Sequence, residues 1–430
     1  MRCARGQGTI EYLAVVLLVA VIAGAGTAVA AGASGGDIAP AVTRQFIRAL
    51  CKVTGGDCDR DRAPCPTHSK SERRGATVTI AIVKLGRHHM LLREERSDGT
   101  VALTLVEEHQ GGVEAGTGAK AGLSLGRTKI AVGGEVRASA LAKAGSGSTW
   151  ITKGDETGKL EARLRAHFAA APAKPVLPGF AAERVLPTLR APDETFGDRG
   201  LEVAGHAGAS RGGRAADVGI SAADTAGSRV DTATGQRTFY LRRRNSASAS
   251  VAAAGAAGEG AGASATEYAV TVDRDGRPVT LTVVDTGTLS GSMDLPPRLQ
   301  PLAGALAVPT RGNRAWVTES HLDLSEPDNL AAAQQVVAQL RAPRPRLGGL
   351  VDVPEALERA LEERAVINAR TYSMSGSSYG GQFAGRIGGV GAGADITANE
   401  TESAHLVAAM TRAADGRWRR RDDCLKEART

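Results

Sequence analysis

Aromatic residues are scarce in this chain of 430 residues: Phe, Trp and Tyr together supply 3%. A core built on stacked rings is excluded, and any interior has to be assembled from Val, Leu, Ile and Ala. Cysteine is also rare, with five in all. None stands in a C-x-x-C pair, and the spacing of Cys51, Cys58 and Cys65 fits no common zinc ribbon, so the usual thiolate metal sites are absent. No phosphate-binding loop, HExxH zinc site or EF-hand loop occurs, and neither a metal nor a cofactor is expected. Gly376-Ser377-Ser378-Tyr379-Gly380 matches a nucleophile elbow, with Asp395 and His405 downstream. That chemistry needs a strand before the Ser, a helix after it and far more chain between the partners, so no catalytic residue is assigned and the chain reads as non-enzymatic. His88-His89 has no third ligand at useful spacing and reads as a solvated pair.

Glycine, by contrast, is plentiful at 54 residues, and the net charge is +7. The positive excess is mild and spread along the chain, which favours solubility over a dedicated anionic partner. The densest basic clusters are Arg242-Arg243-Arg244 and Arg417-Trp418-Arg419-Arg420-Arg421. The second interleaves an aromatic that could stack on a base, but nothing else supports nucleic-acid binding, and none is expected.

Period-two patterning dominates from Ala76 onward. Val78, Ile80 and Ile82 alternate with small polar residues, and Val101, Leu103 and Leu105 do likewise after the turn Ser97-Asp98-Gly99. The pattern runs to Ala144 and resumes from about Leu201 to Leu289, and a Gly/Ala/Ser-rich style returns from Tyr372 to Ile396. Its clearest hairpin turns at Asp275-Gly276 between Val270, Val272 and Val279, Leu281, Val283. The stretches Gly112–Ala144, Val203–Ala223, Ser248–Ser264 and Ser373–Ala398 share a Gly/Ala/Ser composition and read as a loose repeat of long strands with one flat face. Two helices are expected, one opened by Ser325-Glu326-Pro327-Asp328 as a capping box, with Leu330, Ala333, Val337 and Leu340 on one face. The other opens at Asp352-Val353-Pro354-Glu355, with Leu357, Leu361 and Ala365 inward. A Pro-rich segment around 171–200 is the natural point of subdivision.

The N-terminus differs in kind. Leu13 to Ala33 is apolar apart from Thr27, long enough to cross a bilayer as a helix, and Arg2 and Arg5 precede it. Glu11 at the edge of this run would be costly in lipid without a partner, by roughly 2–3 kcal/mol or more. The stretch Arg5-Gly6-Gln7-Gly8-Thr9-Ile10-Glu11-Tyr12 followed by the apolar run resembles the processing site of type IV prepilins, most closely the Flp, or tight-adherence, branch. The resemblance covers about thirty residues. It implies cleavage between Gly6 and Gln7 by a prepilin peptidase, with Glu11 pairing with the freed amine of a neighbouring pilin-like subunit and Tyr12 completing the motif. Two plainer readings compete: a secretory signal cleaved after Ala28-Val29-Ala30, and a simple uncleaved anchor.

On that resemblance Cys3 leaves with the leader, and Cys51, Cys58, Cys65 and Cys424 form two disulfides, each connectivity tying Cys424 to one of the other three. The expected fold is α+β and β-dominated: a leader (1–6), a transmembrane pilin-like helix (7–35), a Cys-containing helical linker (36–75), and a large antiparallel β-rich extracytoplasmic domain with a few helices (76–430). The expected function is that of a minor pilin-like or pseudopilin-like envelope protein in the cytoplasmic membrane, presenting its β-domain for assembly or surface contact. Its partners would be the prepilin peptidase and other pilin-like subunits. The alternative is a secreted or membrane-anchored effector whose amphipathic hairpins insert into a target membrane.

Overall fold

In the computed structural model the chain divides into two compact units, Met1–Ala63 and Pro64–Thr430. The structure describes residues 63–425, less 82, 127, 171–186, 212–213, 254–255, 291–312, 343–352, 388–389 and 414–415. The architecture below is that of the second unit.

Its strands are β1 (Pro66–Ala81), β2 (Val83–Arg96), β3 (Thr100–Gly126), β4 (Thr128–Lys153), β5 (Glu194–Arg211), β6 (Arg214–Asp231) and β7 (Arg237–Ala253), followed by β8 (Ala256–Val272), β9 (Pro278–Ser290), β10 (Asn313–Asp323), β11 (Val366–Ile387), β12 (Val390–Arg412) and the short β13 (Trp418–Arg420). They lie in one antiparallel sheet in chain order. β1 pairs with β2 on one side and with β12 on the other, from His68↔His405 to Ala81↔Gly391, so strands β1 to β12 close into a barrel. Closure leaves neither β1 nor β12 as a free edge along that seam.

The two ends of the barrel differ. At one end, the base, hairpins turn on Asp-Gly pairs. Gly99 and Gly276 have φ of 78° and 81°, a region that favours glycine, and the Asp98 carboxylate accepts a hydrogen bond from the Thr100 N–H at 3.0 Å. At the other end, the mouth, lie the tips of the Gly/Ala/Ser-rich repeat: Gly112–Ala144 is the β3–β4 tip, Val203–Ala223 the β5–β6 tip, Ser248–Ser264 the β7–β8 tip and Ser373–Ala398 the β11–β12 tip. The repeat thus maps onto four of the hairpin tips at the mouth.

The base also carries the apolar cores, and both lie outside the barrel wall. Helix α1 (Glu156–Ala170), which the periodicity did not announce, buries Leu160, Leu164 and Phe168 against Leu91, Leu103 and Trp150. Helices α2 (Pro327–Leu340) and α3 (Glu355–Arg364) cover Val270, Leu281, Val283 and Leu322 with Val336, Leu340, Leu357 and Leu361. Both begin where the Pro residues predict, but the capping box does not form. The N-cap is Glu326 without a side-chain bond, while Ser325 Oγ donates to Asp323 at 2.7 Å. A terminal turn, α4 (Asp422–Leu425), places Cys424 against Cys65, and the two are joined as a disulfide with Cα atoms 5.5 Å apart. Of the three partners open to Cys424, the bond is to Cys65 across 359 residues, at the foot of the β1–β12 seam.

The expected architecture of an N-terminal membrane helix carrying a β-rich domain is therefore corrected to a closed twelve-strand barrel with peripheral helices. β1 begins at Pro66, within the segment read as linker. Among the described residues no helix is long and apolar enough to cross a membrane. The apolar run of residues 13–33, the processing residues Gly6, Gln7, Glu11 and Tyr12, and Cys51 and Cys58 lie outside the described residues.

The lumen and outer wall as candidate functional site

Strand alternation sends neighbouring side chains to opposite faces of the wall, and here the distribution is inverted relative to a water-soluble barrel. The faces are identified by what they meet. Leu91, Leu103 and Trp150, and Val270, Leu281 and Leu322, lie under helices and so face outward. Residues of the other phase reach one another from separate walls: Arg244 of β7 lies in the field of Arg73 of β1 and Glu202 of β5, and Glu402 of β12 in that of Arg244 and Arg73. That is the lumen.

At mid-height a chain of alternating charge runs along the inner wall. Arg73 is 3.7 Å from Glu108, Lys143 is 3.7 Å from Glu108, and Lys143 lies 2.5 Å from Glu202. Arg244 and Glu402 face them across the lumen. Leu141 and Phe196 are interspersed on the same face.

Toward the base the inward-facing groups are paired and more deeply buried. Arg370, 7% exposed, pairs with Glu319, and His321 Nε2 stands 3.7 Å from the same carboxylate. Burial alone would raise the Glu319 carboxyl, but His321 and the Arg370 guanidinium outweigh it and hold it below the usual carboxylate range. Arg242 pairs with Glu267. Tyr240 Oη donates to Asp198 at 3.1 Å, reaching over β6 where Gly227 stands; a Cβ there would come within 2.7 Å of both partners. Burial lifts the Asp198 carboxyl, with the Tyr240 hydroxyl partly offsetting it, and burial with the Asp198 charge raises the Tyr240 hydroxyl. Tyr372 Oη donates to the Pro66 carbonyl at 3.2 Å. The inner wall at the base is thus lined with paired charges and tied hydroxyls rather than with apolar packing.

Outside, above α1, the wall is apolar and bare. Leu201 and Val203 on β5 and Val218 and Ile220 on β6 are exposed, Val203 by 61% and Ile220 by 63%. In register beside them stand the exposed Ala138, Ala140 and Ala142 of β4, and Ala222 and Ala247 of β6 and β7. The row below ends the patch with the Asp224–Arg243 pair, Arg243 Nε donating at 2.7 Å.

The residues singled out in the sequence fall differently from their motifs. Ser378 lies mid-strand in β11, with Asp395 opposite Gln382 and His405 opposite Ser373, so the elbow residues are spread along a hairpin rather than gathered. His88 points into the lumen and His89 outward, and no metal-holding group of three occurs among the described residues. Arg242 and Arg244 face the lumen while Arg243 faces out; Trp418 packs against Ala369 instead of presenting a free ring. The base residues Glu319, Arg370, Tyr240 and Asp198 carried no motif; their only signal was a charge or hydroxyl on the inward phase of a strand.

No family model matches the chain, and no curated protein matches it. Among solved structures it is similar to the translocator domain of the autotransporter NalP from Neisseria meningitidis, at 8% identity and a TM-score of 0.19, covering 86% of this chain and 97% of that one. The ferric citrate transporter FecA in its unliganded form gives 7% identity and a TM-score of 0.19, covering 79% of each chain. A variant of the monoaromatic hydrocarbon channel TodX gives 6% and 0.15, covering 80% of this chain and 91% of that one. Overlaps of this size establish no kinship, and the barrel's own geometry carries the reading that follows. That geometry overturns the pilin-like assignment with its prepilin-peptidase and pilin-subunit partners and its single-pass placement, because the mass expected to hang from a helix is itself a closed barrel with a bare apolar wall. The effector alternative gains nothing, since its free amphipathic hairpins are here joined edge to edge in one ring.

Proposed function

We propose that this chain is a membrane-seated β-barrel without chemistry of its own, whose mouth half contacts lipid while its helix-bearing base stays in water. One observation carries the reading: above the Asp224–Arg243 pair the exposed, described outward residues of β4 to β7 are Ala, Val, Leu and Ile apart from Asn245, whereas the inward phase holds Lys143, Glu202, Arg242 and Arg244. This is the alternation of outer-membrane-type barrels, apolar toward lipid and polar toward the lumen. In water the same patch would be an unsatisfied surface. Strands β3 to β8 each have 17 or more residues, beyond the ~9–11 that a tilted strand needs to span the hydrocarbon layer. The helices that cover the base mark where the seat ends.

Flotation with lipid vesicles on a density gradient tests this. The wild-type protein should rise with the lipid, and Ile220→Arg should weaken partitioning by about 2–4 kcal/mol, the cost of a cation facing lipid at depth. A wild-type chain that stays monomeric in the aqueous fraction, indifferent to Ile220→Arg, would refute the seat.

A further inference from the structure

In the ring, β3 and β11 both run from base to mouth, because an even number of antiparallel steps separates them. Yet Gly118–Gly126 of β3 pairs antiparallel with Ser378–Arg386 of β11, nine residues against nine, from Gly118↔Arg386 to Gly126↔Ser378. Two strands that rise from the same end cannot meet head to tail while both stay upright in the wall. β11 stays laddered to β12 up to Ile387↔Val390, whereas β3 leaves β2 at Val83↔Val113, so it is β3 that folds over the mouth and runs back along β11. The pairing is available because β10 stops at Arg314↔Ser373 and leaves the edge of β11 open beyond it. The sequence suits such a bend: Gly118, Gly122 and Gly126 on one strand and Gly380, Gly381 and Gly385 on the other lower the cost of curvature.

We infer that the β3–β11 ladder is a latch laid across the barrel's mouth, and that its opening controls entry of solutes to the lumen. The inference deepens the membrane-seat reading, but its geometry does not depend on lipid. The latch holds by backbone bonds between an edge and an arm, so it can part without disturbing the closed ring of β1 to β12 or the helix-covered base. The Glu319–Arg370 and Tyr240–Asp198 contacts line the wall at the base, and the latch lies over the opposite end.

The test uses the full chain with Ala121→Cys and Phe383→Cys, which face each other in register. Oxidative cross-linking, mapped by peptide mass spectrometry, should join them in the folded protein. The readout is the rate at which phenylglyoxal modifies Arg244, a lumen-facing guanidinium, followed by mass spectrometry before and after the link is made. The link should slow modification by about tenfold, and Ala121→Pro, which removes a ladder donor, should speed it by a similar factor. Failure of the two cysteines to join, or Arg244 rates equal within twofold in the linked and unlinked forms, would overturn the latch. Because both readouts are made in solution or detergent, the latch can stand if vesicle flotation fails, and can fall if flotation succeeds. In vesicles that do take up the protein, the link should in addition suppress efflux of a trapped dye.

Discussion

Replacing Glu319 by Gln strikes the base of the inner wall at its most buried charge pair. Arg370 is 7% exposed and has Glu319 as its ion-pair partner, with His321 on the far side of the carboxylate. Removing one member of a buried pair leaves an uncompensated charge and costs about 3–5 kcal/mol, whereas replacing both by neutral groups of similar volume is close to neutral. Glu319→Gln should therefore lower the unfolding free energy by about 3–5 kcal/mol, and adding Arg370→Met should recover most of it. Urea unfolding of all four proteins, followed by Trp fluorescence, closes the cycle. The acid limb supplies a second reading. The folded-state pKa of Glu319 is depressed below its ordinary 4.5, so its contribution is complete above that value and is lost as pH falls through the folded pKa. The wild-type protein should lose stability below pH 4.5 more steeply than Glu319→Gln. A single variant within 1 kcal/mol of wild type, or a double variant as unstable as the sum of the singles, would refute the claim that the base is held by this pair.

Three further outcomes follow from the packing. Leu357 is fully buried between α3 and the outer wall, and Leu357→Ala should cost about 2–5 kcal/mol in the same assay, with loss of the base helices by circular dichroism. At Gly287 a Cβ would lie 2.3 Å from the Trp316 ring; Gly287→Ala should cost about 1–3 kcal/mol and shift Trp emission, while unchanged emission would place the ring elsewhere. His68 and His405 stack at 4.1 Å on the β1–β12 seam, and burial, then the neighbouring His405, holds His68 below its ordinary 6.5. The folded state then binds fewer protons than the unfolded one, so stability should fall as pH drops below about 6.5, and His405→Ala should blunt that fall, as measured by unfolding at stepped pH.

What could be read locally was read well where neighbours in sequence decide the outcome. The period-two runs mark the strands, Asp275-Gly276 turns the β8–β9 hairpin, and Pro327 and Pro354 sit where α2 and α3 begin. Helix α1 carries Leu160, Leu164 and Phe168 at four-residue spacing among charged residues, a helical stripe that lies between period-two runs. The capping box failed because Asp323 captured the Ser325 hydroxyl, a choice made by the strand end before it.

The sequence by itself determined that this unit is built of long alternating strands with glycine- and alanine-rich tips and a few helices, because backbone preference and side-chain phase are set over a handful of residues. Only the tertiary structure decided that β1 meets β12, that Cys424 chooses Cys65, and that the charged phase faces inward while the apolar phase faces out. A strand's alternation names two faces without saying which is the interior. That choice follows from pairings between residues more than 300 positions apart, whose register no local pattern encodes.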